Sequence, residues 1–348
     1  MHNFRRCIIN TAIFLVLVLV LCLFVPVFYF EGGIAANAGK NFDVKERQSY
    51  AGSVDTIFSG ASHGLCGFRP SVYDEAMDTS SYNLSGSLLT MQGRYMLIQQ
   101  ELSRNPVETV ILEVSYNALS RTDTTHFEGD YYMIGRIDRL SDRLKWICSS
   151  FSYDEYFDLY ATALKDGRPY LIHRMKGLLV GAGEQEDWNP DRGFLPSDPK
   201  DLTLSQEAYR QEYHTVPMST EINQENLEYL NRILKLCQQK GARVILVTLP
   251  LSQLALNRYD NLETVRLQYA QLAQENGCLF WDFNLYKERT ALLSDTDCFR
   301  DINHMSTKGA GAFTRLLADT LSAYDGGQDV SGWFYGSYDE LPRVGADG

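Results

Sequence analysis

Apolar positions follow three different patterns along this chain. Residues 7–30, CIINTAIFLVLVLVLCLFVPVFYF, carry no charge at all. At helical rise that run is long enough to cross the roughly 30 Å hydrocarbon core of a bilayer. Farther on, the short runs VDTIF (54–58), TVILEV (109–114), RVILVTL (243–249) and CLFWDF (278–283) are almost unbroken, as expected of strands buried on both faces. Between them the apolar period lengthens to that of a helix. In residues 87–105, Leu88, Leu89, Tyr95, Ile98 and Leu102 fall near one face, and the pattern stops before Pro106. In 225–241, Leu227, Leu230, Ile233, Leu234 and Cys237 share a face that closes at Gly241, and 262–277 closes at Gly277. A last helix is predicted from Ser306 or Thr307 to about Tyr324. Strands alternating with helices predict an α/β fold, a central parallel sheet covered on both faces, with ligands at the carboxyl ends of its strands.

Two regions break the alternation. Residues 120–220 are rich in Tyr, Asp and Arg; SYDEYFDLYATAL reads as helix and 181–201 as loop. Because the sheet needs pieces from both sides of it, this region reads as an insertion within one domain, 51–325. Its Tyr131, Tyr132, Trp146, Tyr153, Tyr156 and Trp188 suit stacking on sugars, and suit ordinary core packing equally well. Residues 326–348 lack periodicity and read as a mobile tail, residues 31–50 read as a tether, and no internal repeat is evident.

Charge sharpens the picture at both ends. Arg5 and Arg6 precede the long apolar run and the next charged residue is Glu31, so 1–30 reads as a cytoplasmic stub and transmembrane anchor with the rest of the chain outside. Pro26 would fall near the outer end of that helix, where water can satisfy a freed carbonyl. A cleaved signal peptide is the rival reading, with AANA at 35–38 as the cleavage pattern. The run exceeds the usual signal core of about 7–15 residues and ends in bulky Phe28, Tyr29 and Phe30, which favours the uncleaved anchor. The formal charge of the 348-residue chain is −12, or −14 once the two arginines are subtracted. No basic stripe is present to meet phosphates, which argues against a nucleic-acid partner. The seven cysteines have no metal-ligand spacing, and buried thiols with at most one disulfide are expected; no metal or other cofactor is implied.

The candidate chemistry lies in FSGASHGLCGF (58–68). Ser62 follows the first predicted strand directly, where a parallel sheet presents its reactive groups. A serine hydroxyl needs a neighbouring base to act as nucleophile, and the chain has only six histidines. His304, in DCFRDINHMSTKGAGAFTRLLADTL after the last strand, is the strongest candidate, with Asp301 three residues before it to orient the imidazole. His63 either lines the site or faces solvent. His126, His173 and His214 fall in the insertion and read as surface residues. Cys66 has no base of its own and reads as packing. Taken singly, Ser62 and Asp301 also read as helix caps, Gly86 as a turn glycine and Asn117 as a strand-end cap.

FSGASHG near the start, DINHMSTKGA near the end and the α/β pattern between them resemble the SGNH, or GDSL-like, hydrolase superfamily. Within it the chain looks closest to membrane-anchored exported members, the D-alanine transfer proteins of teichoic acid operons and the alginate acetylation proteins. The resemblance covers about residues 50–120 and 225–324. It implies a three-layer flavodoxin-like SGNH fold and a triad of nucleophile Ser62, base His304 and orienting Asp301. It also implies an oxyanion hole from the Ser62 backbone N–H, the Gly86 N–H in YNLSGS and the Asn117 amide in ILEVSYN. The third block departs from the usual Gly-x-Asn-Asp, and the first has Ala61-Ser62-His63 where many members have Asp-Ser. The function so implied is O-acyl, most simply acetyl, transfer to or from a cell-surface polysaccharide or a teichoic-acid-like acceptor. A membrane-bound O-acyltransferase would be the acyl donor. A non-catalytic scaffold or glycan-binding component of a surface-polysaccharide system is the alternative.

Overall fold

The apolar runs form one parallel sheet. Its strands are β1 (Thr56–Ser59), β2 (Ser81–Asn83), β3 (Thr109–Glu113), β4 (Arg243–Thr248) and β5 (Leu279–Asp282), in the spatial order β2-β1-β3-β4-β5. Every pairing is parallel, with Ile57 opposite Val110, Val110 opposite Val244 and Val247 opposite Trp281. This is a computed structural model that describes residues 2–29, 44–120, 126–162, 165, 191–202 and 216–342. β1 and β3 are buried at every position, which is why they read as continuous apolar runs rather than alternating ones. β2 is the strand the pattern did not reveal: Ser-Tyr-Asn is short and polar, yet all three residues are buried.

In chain order the helices that matter here are α1 (His2–Tyr29), α2 (Ser62–Gly67), α3 (Pro70–Met77), α4 (Met91–Arg104), α5 (Leu140–Ser150), α6 (Gln224–Lys240), α7 (Leu262–Asn276) and α8 (Thr307–Asp325). Their ends follow local chemistry. α6 begins where the Asn223 side chain accepts from the N–H groups of Glu225 and Asn226, and ends at Gly241 with φ 75°. α8 begins at the Ser306 hydroxyl, which accepts from Gly309 N–H. α4 starts at Met91, four residues later than its apolar period suggested. Leu88 has φ 55°, which interrupts a helix, and Thr90 supplies the cap by accepting from Gly93 N–H.

The chain divides into two compact units, residues 1–46 with 130–187, and residues 47–129 with 188–348. The expected insertion at 120–220 is therefore narrower than its composition suggested, since residues 191–202 belong to the sheet unit. In that segment Arg192 O accepts from Asn83 N–H at 3.0 Å, Leu195 N–H donates to Leu65 O at 3.1 Å, and Ser197 N–H donates to Thr307 Oγ1 at 2.9 Å. A stretch read as plain loop thus ties β2 and α2 to the start of α8. In the first unit, Tyr131 and Trp146 are buried and the Trp146 indole donates to Asp130 O, so both pack; Tyr153 is exposed. Trp188, His173 and His214 lie outside the described residues. Among the described residues no helix is long and apolar enough to cross a membrane. In α1 the side chains are described over 4–18, and there Ile8, Ile13, Phe14, Leu15 and Leu17 stand exposed.

One aromatic cluster holds the sheet unit together beneath its carboxyl edge. Phe58 of β1 stacks on Phe68 (ring centroids 4.7 Å) and meets Tyr73 of α3 edge-on at 5.0 Å. Phe313 of α8 meets Phe68 at 6.0 Å and Phe283, just after β5, at 5.2 Å. The segment after Ser62 and the helix after His304 therefore share a core.

The tail expected to be mobile is laid down on this unit as far as Pro342. Tyr335 N–H donates to Leu285 O, Lys287 N–H to Trp333 O, and the Tyr338 hydroxyl to Asp282 Oδ2 at 2.8 Å. Burial pushes the Asp282 carboxyl up to about 6 despite the bonds from Tyr338 and Asn284. A folded-state value above the unfolded one makes a contribution to stability that is complete below the unfolded value of about 4 and is lost as pH rises through about 6. Asp282→Asn removes that loss. Chemical denaturation is expected to show the variant gaining on the native chain between pH 4.5 and pH 7.5; an equal difference at both would place the pH dependence elsewhere.

Candidate active site

The turn after β1 is fixed from three directions. Gly60 passes so close to β3 that a Cβ there would lie 2.7 Å from Glu113 Cβ and 2.8 Å from Glu113 Oε2; only glycine fits. Ala61 takes the N-cap position of α2 in extended conformation with no side-chain cap, and its N–H donates to Glu113 Oε2 at 2.8 Å. From β2, buried Asn83 donates through Nδ2 to Gly64 O at 3.0 Å and Phe68 O at 2.9 Å. Ser62 thus becomes the first residue of α2. As in any helix, the N–H groups of the first turn have no intrahelical acceptor and point outward.

His304 reaches the same place from the other end of the chain. Its loop is closed by Arg300 N–H donating to His304 O at 3.0 Å and by a bridge between Phe299 and Met305. Its Nε2 lies 2.8 Å from Ser62 Oγ, and its Nδ1 lies 2.8 and 3.0 Å from the two oxygens of Asp301. Asp301 also accepts the N–H groups of Asn303 and His304, each at 3.0 Å. Burial alone would raise the Asp301 carboxyl, but the His304 ring and these two N–H groups together hold it well below the usual carboxylate range. An ionised Asp301 requires the proton on Nδ1, which leaves the Nε2 lone pair to accept from the Ser62 hydroxyl.

The two expected auxiliary donors fare differently. Gly86 N–H is spent on Gly60 O at 3.1 Å, so this backbone group braces the turn instead of pointing into the site. Asn117 is exposed, and its Oδ1 accepts from the Ser115 hydroxyl at 3.0 Å; among the described residues no hydrogen bond ties it to Ser62 or His304. His63 lies between the triad and two tyrosines: its ring is 5.2 Å from that of His304 and 5.7 Å from Tyr116, which packs on Tyr259 at 4.7 Å. Burial drives His63 down to about 4, with the Glu113 charge opposing, so its imidazole is neutral at physiological pH. Tyr116 donates to the Tyr259 hydroxyl at 3.3 Å, which donates to Asn303 Oδ1 at 3.0 Å, closing a polar and aromatic rim beside the triad. Cys66 is buried and burial pushes its thiol up to about 11, which rules it out as a competing nucleophile at neutral pH. Cys7, Cys66, Cys148, Cys237, Cys278 and Cys298 are free, and among the described residues no group of three or more His, Cys, Asp or Glu is placed to hold a metal.

Sequence reading missed three residues of this site: Asn83, Glu113 and Arg94. A carboxylate inside the apolar run TVILEV and an arginine on the apolar face of α4 were the available signals. Both oppose the hydrophobic pattern and both are fully buried.

No family model and no curated protein matches the chain. Among solved structures it is similar to a protein assigned as an acylhydrolase from Bacteroides fragilis, at 9% identity over 80% of this chain and 94% of that one, TM-score 0.36. It is also similar to the C-terminal catalytic domain of peptidoglycan O-acetyltransferase A from Streptococcus pneumoniae, at 14% identity over 78% and 93% of the two chains, TM-score 0.31. A third is an acetyl xylan esterase from Butyrivibrio proteoclasticus, at 10% identity over 79% and 65%, TM-score 0.32. Scores this low decide nothing about this chain, whose chemistry has to be read from its own side chains.

Proposed function

We propose that the chain is an exported, membrane-anchored serine enzyme of acyl-ester chemistry that transfers an O-acyl group, most simply acetyl, to or from a cell-surface polysaccharide. The observation that carries the reading is the continuous hydrogen-bonded series from Ser62 Oγ through His304 to Asp301, with 2.8 Å at each junction. Nε2 takes the Ser62 proton as Oγ attacks the ester carbonyl, and Asp301 stabilises the imidazolium that results. The tetrahedral oxyanion is met by N–H groups at the first turn of α2, beginning with that of Ser62. Collapse expels the alcohol, which takes the proton from Nε2 and leaves an acyl-Ser62 ester. A second hydroxyl, from a glycan or from water, then gives its proton to Nε2 and attacks that ester, so transfer and hydrolysis differ only in what reaches the acyl group.

Anchoring rests on the sequence: the uncharged run 7–30 is long enough at helical rise to span a bilayer core, and Arg5 and Arg6 precede it to hold that end in the cytoplasm. Tethering favours transfer by keeping a membrane-delivered acyl group and a surface acceptor at high effective concentration. The test is turnover of an acetyl-ester reporter and labelling by a fluorophosphonate, comparing the native chain with Ser62→Ala. Native turnover and labelling with neither in the variant is the expected result. Equal behaviour of the two proteins sinks the reading and leaves the scaffold alternative standing. An acylated glycan recovered from a native reaction that includes acceptor separates transfer from hydrolysis.

A further inference from the structure

Glu113 ends β3 with a carboxylate that has no exposure to solvent. A buried carboxylate carries a desolvation penalty of several kcal/mol, which it must offset with bonds. One oxygen does so. Oε2 accepts the Ala61 N–H at 2.8 Å and lies 3.3 Å from Arg94 Nη2. Arg94, itself buried, grips the same residue a second time, donating from Nη1 to the Glu113 carbonyl at 2.6 Å. Among the described residues the other oxygen makes no hydrogen bond, and it lies 3.9 Å from His63 Nδ1.

We infer that Glu113, neutralised by Arg94, is the positioning residue of the nucleophile turn. This rests on Ser62 being the nucleophile. In a capping box a glutamate three residues into a helix reaches back to the N–H of the N-cap residue. α2 has no such glutamate: its N-cap is Ala61, with no side-chain bond to give. Glu113 supplies the bond from 52 residues away, and so fixes the residue immediately before Ser62 to the middle of the sheet. Gly60 completes the fit, because any side chain there would push the carboxylate aside. Arg94 has a separate task. A bare carboxylate under N–H groups that are to meet a negative oxygen would oppose that oxygen by like charge, and the guanidinium cancels it. Glu113 touches no reacting atom; it acts through the backbone of Ala61.

The test uses the full chain and a fluorophosphonate, with the inactivation rate resolved into a maximal rate and a half-saturating concentration, alongside the melting temperature. In Arg94→Met combined with Glu113→Leu the buried charges are removed together, a replacement that is often neutral or stabilising. The expected result is a cooperative melt near that of the native chain and a maximal inactivation rate lower by about 10²-fold, the scale of a small misplacement of reacting groups. The half-saturating concentration is expected to stay put. Glu113→Gln keeps an acceptor for Ala61 and is expected to retain most of the rate. A double variant that melts normally and reacts within about threefold of native overturns the inference. Should the double variant not fold, Gly60→Ala tests the same bond with both charges present: loss of maximal rate supports the inference, and an unchanged rate overturns it. If native and Ser62→Ala react alike, it is the reading of Ser62 that fails. If only native reacts but the double variant matches it, Glu113 alone is misassigned.

Discussion

Replacing His304 by alanine is expected to lower ester turnover by about 10⁴–10⁶-fold while leaving the fold intact. The size follows from the position of the imidazole. It is hydrogen-bonded to Ser62 Oγ, and Asp301 is hydrogen-bonded only to its far side. Without it the hydroxyl has no base, and the carboxylate is left holding two backbone N–H groups and the neighbouring Arg300, with no path to the serine. His63, although its ring is 5.2 Å away, is not expected to substitute, because burial lowers its basicity and its Nδ1 is directed towards Glu113. Folding should be little affected, since His304 is partly exposed and its loop is closed by the backbone bonds from Arg300 N–H to His304 O and from Ser306 N–H to Cys298 O and by the Ser306 hydroxyl on Asp297 O. Steady-state turnover with an acetyl-ester reporter, together with a thermal melt, checks both halves of this statement. A loss smaller than about 10-fold would mean that another base serves Ser62.

The second large effect concerns the core. Phe313→Ala is expected to destabilise the sheet unit by about 3–5 kcal/mol, the usual result of deleting a fully buried aromatic ring. Phe313 has no solvent exposure and lies between Phe68 and Phe283, so the void opens where the segment after Ser62 meets the helix after His304. Phe313→Leu retains much of the apolar volume and should lose less. Chemical denaturation gives the free energies. If the alanine variant loses less than about 1 kcal/mol, within reach of an ordinary substitution, this ring is not the shared support of the two halves of the triad.

What could be read from sequence was decided by how local each signal is. β1, β3, β4 and β5 are apolar runs, and the caps at Gly241, Gly277 and Ser306 lie next to the helices they bound, so these elements are legible one at a time. Ser62 was legible as a candidate because it follows β1 by three residues, where a parallel sheet presents its strand ends, whereas Asp301 and His304 stand 19 and 22 residues past β5 and were legible only as a short motif of their own. Elements whose reason lies far away in sequence were not legible. β2 is polar because Asn83 turns inward to hold the carbonyls of Gly64 and Phe68. Residues 191–202 look like loop because their partners are Asn83, Leu65 and Thr307. The tail lacks periodicity because it is held by single contacts, such as Tyr338 on Asp282, not by a helical face. Gly86 shows the limit of a motif resemblance: the glycine of YNLSGS was expected to donate into the site, and its N–H is committed to Gly60.

The buried pair Glu113 and Arg94 left a trace in the sequence, since each breaks the apolar pattern of its own segment. That pattern does not say that the two meet, and only the fold places both inside and together. Their burial beside Ala61 is what connects the stability of the sheet with the aim of Ser62.

The most direct test of Ser62 as the nucleophile is the site of covalent capture. The full-length chain is treated with a fluorophosphonate, digested and mapped by mass spectrometry, in parallel with His304→Ala. The expected result is a single adduct on the Ser62 hydroxyl in the native chain and none in the variant. An adduct on another residue, such as Ser59 or Ser85, or equal labelling with and without His304, would contradict a nucleophile made from Ser62, His304 and Asp301.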